Sequence, residues 1–128
     1  LITASDKTVA SGLKYIRNED AHVIEVIVEG KITAADIEHV VEEIEVDLTK
    51  HEKLRILEDI REFKGIDPMA LWLDLKQINK LSRISHVAIV ADLKWVRTLA
   101  EAMSGLYPFE VKVYERAEIA AARVWLNS

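Results

Sequence analysis

The segments "KLRILEDI" (53–60), "GIDPMALWLDLKQINKL" (65–81) and "HVAIVA" (86–91) together decide the fold class. The first is short and rich in Ile and Leu, as a strand should be. The second opens with Asp67 as an N-cap and Pro68 at the first helical position, which starts a helix. The third is apolar without interruption, the pattern of a strand covered on both faces. A strand, a helix and a second strand in that order pair in parallel through a right-handed crossover.

The same grammar continues outward in both directions. Upstream, "LKYIRN" (13–18) and "HVIEVIVEG" (22–30) flank a polar turn and read as a β-hairpin. Its first strand is then antiparallel, at or near a sheet edge. In "TAADIEHVVEEIEVDL" (33–48), Thr33 and Asp36 have capping-box spacing. Ile37, Val40, Val41, Ile44 and Leu48 repeat on one helical face. Downstream, "DLKWVRTLAEAMSG" (92–105) reads as a helix capped by Asp92 and stopped by Gly105. "FEVKVY" (109–114) alternates, as a half-covered or edge strand does, and "AEIAAARVWLN" (117–127) closes as a helix. The expected class is α/β: one domain over 13–128, with a mixed, mostly parallel sheet of about five strands and four helices. Residues 1–12 are polar and aperiodic and read as a lead-in.

Composition excludes several functions. The chain of 128 residues has no cysteine, which removes disulfides, thiolate metal sites and cysteine nucleophiles. A net charge of −5 argues against nucleic acid as a partner. No apolar run reaches the roughly 20 residues of a membrane-spanning helix. These features fit a cytoplasmic protein, with peripheral membrane contact as a variant. Six carboxylates lie between Asp36 and Asp47, and their simplest reading is a solvated helix surface.

Chemical motifs are missing as well. His22, His39, His51 and His86 form no HExxH pair, and His39 with Glu42 or Glu43 lacks a third ligand. There is no GxSxG elbow, phosphate loop or GxGxxG fingerprint. An acid–base pair drawn from Glu58, Asp59 and Glu62 has nothing specific to recommend it. No cofactor and no metal is expected.

Two surfaces remain as candidates. One lies at the carboxyl ends of the strands, where open α/β sheets hold ligands and helix N-termini point outward. Lys31, Arg61, Lys64, Asp92 and Lys94 fall there, suited to an anionic group, although loop charges that merely solubilise are the simpler reading. The other is the back of the 67–81 helix. At about 100° per residue, Leu71, Leu75 and Ile78 face the core, and Met69, Trp72 and Leu73 point away from it with Lys76, Lys80 and Arg83. That face suits covering by neighbouring segments, a protein partner or second copy, or weak contact with a lipid surface.

The pieces "GKITAADIE", "DPMALWLDLK", "HVAIVADLKW" and "AARVWL" resemble the SpoIIAA-like family, whose fold is similar to STAS domains. The resemblance spans Val23 to Leu126 and implies a STAS-like domain used for regulation or binding. In anti-sigma-factor antagonists of this type a serine is phosphorylated in the turn after a central strand. The matching segment here, "DIREFKGIDP" (59–68), contains neither Ser nor Thr. The expectation is therefore a non-enzymatic binding or regulatory domain without that switch, acting through the helix face over 69–83 on a protein partner, a second copy or, weakly, a membrane surface. The alternative is a carrier or unrecognised enzyme holding an acyl or anionic small molecule beneath the 67–81 helix and at the strand carboxyl ends near Lys31, Arg61, Lys64 and Lys94.

Overall fold

The computed structural model describes residues 12–17, 22–69, 82–103, 105 and 108–128. Among them run β1 (Leu13–Arg17), β2 (Val23–Ile32), α1 (Ala34–Leu48), β3 (Leu54–Ile66), β4 (Ile84–Ala91), α2 (Lys94–Met103) and β5 (Glu110–Tyr114). A 3-10 turn, Arg116–Glu118, then leads into α3 (Ile119–Leu126). Three of the four expected helices are among the described residues. Of the helix expected over 67–81, Pro68 and Met69 are helical, and the rest lies outside the described residues.

The sheet has five strands in the order β1-β2-β3-β4-β5. β1 pairs antiparallel with β2, and every other pair is parallel. Because each strand lies beside its predecessor, right-handed crossovers all fall on the same face of the sheet. That face carries the larger core, in which Tyr15, Ile24, Val26, Ile56 and Val87 pack with Ile44 of α1. Among the described residues, the opposite face receives α3, whose Ala122 and Leu126 pack against Leu57, Ala88 and Val90. β4 contributes to both clusters, which is why "HVAIVA" has no polar break.

β3 is longer than its sequence suggests. The segment read as a turn from Asp59 continues as strand to Ile66, paired with β2 up to Ile32↔Ile66. Its charged residues Arg61, Glu62 and Lys64 are exposed, and that polarity disguises the strand. The pairing shifts register between Val28 and Glu29 and again between Gly30 and Lys31. Gly30 and Gly65 take positive φ values of 121° and 127° at this irregular end, a conformation that side chains with a Cβ resist. Gly12 is needed for a different reason. An added Cβ there would lie 2.1 Å from the Lys31 carbonyl oxygen.

The acidic helix is not uniformly solvated. Glu38, Glu42 and Glu45 are exposed, but Asp36 and Asp47 are buried. Asp36 closes the expected capping box, accepting from the Thr33 N–H at 2.7 Å while its own N–H donates to Thr33 Oγ1 at 3.2 Å. Asp47 accepts from the Tyr15 hydroxyl and from Arg17 Nε, and Arg17 also pairs with Glu43. The acids thus fasten α1 to the edge strand β1. α2 starts at Lys94, where the Arg97 N–H donates to the Leu93 carbonyl. Asp92, expected to cap it, accepts instead from the Arg116 N–H at 2.9 Å.

Burial, followed by the hydrogen bond to Asp47, pushes the Tyr15 hydroxyl pKa far above its ordinary value of 10.0. The folded state therefore keeps its proton after the unfolded chain has begun to lose it. The stabilisation is complete below pH 10 and declines above it, by up to about 1.4 kcal/mol per pH unit. Tyr15→Phe is expected to lower stability at pH 7 by about 1 kcal/mol and to flatten the alkaline decline. Urea unfolding at neutral and alkaline pH measures both effects, and a slope unchanged in the variant contradicts the assignment.

Candidate functional site

At the carboxyl end of the sheet, the expected cations already have acidic neighbours. Lys31 Nζ lies 2.9 Å from Asp67 Oδ1, Arg61 Nε lies 3.1 Å from Asp59 Oδ2, and Lys64 Nζ lies 3.9 Å from Glu62 Oε1. Lys94 is exposed and has no ion-pair partner among the described residues. An incoming anion would compete with three carboxylates there.

Asp59 is the buried centre of that end, at 0% exposure. Arg61 Nε donates to one of its oxygens and Arg116 Nη2 to the other. Arg116 also donates to the Ile60 carbonyl at 3.2 Å. A buried carboxylate is tolerated only when its charge and lone pairs are matched, and two guanidiniums do so here. The bonds tie the 3-10 turn, and with it α3, to the middle of the sheet.

The 67–81 surface is described only at its margins. Met69 is 60% exposed. Trp72, Leu73, Lys76 and Lys80 lie outside the described residues. Arg83 has a structural occupation. Its guanidinium donates to the carbonyls of Glu52, Leu48 and His51 at 2.9, 3.0 and 3.0 Å. Those acceptors include the last carbonyl of α1, so Arg83 closes the C-terminus of that helix.

Sequence reasoning did not locate the most distinctive feature among the described residues, a partly open apolar cavity of about 270 Å³ between α1 and α2 on the sheet. All five strands except the last residues of β1 and β5 approach it, with α1 on one side and α2 on the other. Of the 20 described lining residues, 15 are Ile or Val and only Glu58 is charged. β-branched side chains are stiff at χ1 and do not swing into an adjacent void. A signal was present in the sequence, since the strands are built from Ile and Val and the whole chain has only two Phe. Glu58 points into this face from the middle of β3 and has an interaction partner of its own. No cation is among the described lining residues. Elsewhere among the described residues, no three His, Asp or Glu side chains are grouped to hold a metal ion. No described helix is long and apolar enough to cross a membrane.

A family model described as SpoIIAA-like matches residues 23–127. The chain belongs to the SpoIIAA-like family. A solved structure with a similar fold is that of an uncharacterized protein from the DUF3478 family, with a SpoIIAA-like fold, from Shewanella loihica PV-4. It aligns with a TM-score of 0.73 at 24% identity, over 92% of this chain and 98% of that one. No curated protein matches the sequence. The SpoIIAA-like assignment thus fixes the architecture around the cavity and leaves its use to be argued from the lining.

Arg116→Ala is expected to destabilise the fold by about 2–3 kcal/mol, because Asp59 keeps its burial and loses one of two counter-charges. Asp59→Asn in the same background should recover part of that loss. Thermal unfolding of the single and double variants measures the coupling, and strictly additive losses would show that the pair does not interact.

Proposed function

We propose that this SpoIIAA-like domain is a non-enzymatic binding protein that takes a small, predominantly apolar molecule into the cavity between α1, α2 and the sheet. The supporting observation is a void of about 270 Å³ lined by 19 apolar residues and one carboxylate among the described residues. In another protein, an apolar cavity of about 150 Å³ stays dry and binds benzene, so this one has room for a larger guest. With no basic side chain among the described lining residues, shape and apolar burial select the ligand, and an anionic head group finds no cation there.

The energetics suit reversible binding. Each buried methylene contributes about 0.8 kcal/mol. Eight of them give about 6 kcal/mol before the guest's lost freedom is counted, which corresponds to dissociation constants of tens of micromolar or weaker. Such a domain responds to ligand concentration and does not hold a permanent cofactor. The regulatory use of the fold is compatible with that behaviour, because a ligand bridging α1 and α2 stabilises one arrangement of the helices on the sheet.

Titration with n-alkanols of increasing chain length, followed through Ile and Val methyl resonances, tests the proposal. Saturable shifts are expected at Ile56, Val87 and Ile89, with affinity rising with length and then falling once the chain exceeds the cavity. Ala100→Phe places a ring in the void and should abolish the shifts while leaving the melting temperature equal or higher. Shifts confined to exposed methyls such as Val46 and Val124, or an unaltered response in Ala100→Phe, would sink the reading.

A further inference from the structure

β5 closes one side of the sheet, with β4 as its neighbour. Its register with β4 runs from His86↔Glu110 to Val90↔Tyr114 without a shift, in contrast to the β2–β3 and β3–β4 pairs. The outer edge is therefore a short, regular strand without proline or bulge, whose protection against indiscriminate pairing rests on its length and on Glu110 and Lys112. An open hollow beside it is lined by Val111, Lys112, Val113 and Tyr114 with Glu101 of α2. The side chains alternate in character. Val111 and Val113 point to the core face, whereas Glu110 and Lys112 share the other face as a neighbouring acid and base. Glu110 is 73% exposed in its side chain even while it reaches His86, and Lys112 is exposed above the Trp125 ring.

These charges discriminate between ways of adding a second strand. In an antiparallel pair, directly opposite residues point to the same face, and like charges in that position repel. A second copy of β5 centred on Lys112 would set Lys112 against itself. Moving the two-fold axis to Val111 places Glu110 opposite the other copy's Lys112, and Lys112 opposite its Glu110. The same register sets Val111 against its own counterpart and Val113 against Phe109, so apolar and charged faces both match. A two-fold interface is self-complementary in this way by construction.

We propose that the β5 edge is the self-association surface of this protein, joining two copies antiparallel about Val111 into a continuous ten-stranded sheet. The partner is a second copy of the chain, and the two reciprocal Glu110–Lys112 pairs set the register. Both cavities are preserved, on the same side of the joined sheet. This inference does not require the ligand reading, since it rests on the backbone edge of β5 and its charges, although Phe109 and Val111 also line the cavity.

The absence of native cysteine makes the register directly measurable. Opposite residues in an antiparallel pair have Cα atoms about 4.5–5.5 Å apart, within disulfide range. Val111→Cys, at the two-fold axis, is expected to form a covalent dimer on mild oxidation, several times faster than Val113→Cys. Sedimentation velocity over a concentration series should show reversible dimerisation of the unmodified chain. Glu110→Lys and Lys112→Glu should each weaken it at least several-fold, and the double exchange should restore it, with circular dichroism confirming that each variant is folded. A monomer at every concentration overturns the proposal. So does a dimer indifferent to the charge reversals, or one in which Val113→Cys crosslinks as fast as Val111→Cys.

Discussion

The order of strands in space is the order of strands in the chain, and the character of each sheet face follows from that constraint. With the parallel connections stepping the same way, α1 and α2 fall on one side of the sheet. α3, which follows β5, packs on the other side. One face can therefore be almost wholly apolar, as Ile56, Val87 and Ile84 are. The other combines a small core under α3 with polar rows. Arg123 holds Glu25 there through two bonds of 3.0 Å, and Arg55 reaches the carbonyls of Leu126 and Ser128.

Two buried aspartates join the peripheral elements to this frame. Asp47 binds α1 to β1 through Tyr15 and Arg17, and Asp59 binds the turn before α3 to β3 through Arg116. Neither is needed to fill space. Each makes one arrangement of a helix against the sheet satisfy a charge that every other arrangement would leave buried and unmatched. In this domain, whose core is otherwise built mainly from Ile, Val and Leu, such contacts supply the positional specificity that packing alone provides weakly.

Much of the architecture was legible because it rests on local patterns. "HVAIVA" has no polar residue after His86 and became the doubly covered strand. Thr33 and Asp36 made their capping box, and the alternation of "FEVKVY" marked an edge. The errors came where a residue's role depends on a distant partner. Asp92 receives the Arg116 N–H, and Arg83 caps a helix that ends 35 positions earlier. Nothing near them in sequence marks these functions. The far end of β3 was obscured because the exposed charges Arg61, Glu62 and Lys64 interleave with Phe63 and Ile66 there. The cavity was hidden for a further reason: its volume is a remainder left by side chains from five strands and two helices, and no single stretch encodes a remainder.

That remainder also makes hydrostatic pressure a selective variable for this protein. A partly open pocket whose described walls are χ1-stiff Ile and Val shrinks little by side-chain adjustment, so compression leaves it only a few outcomes. The space admits water against an apolar surface, it is filled by a guest, or the fold opens and eliminates it. Unfolding reduces volume in proportion to the empty space it removes. An occupied cavity would remove part of that incentive, so the volume change of unfolding should report whether the molecule is empty or loaded.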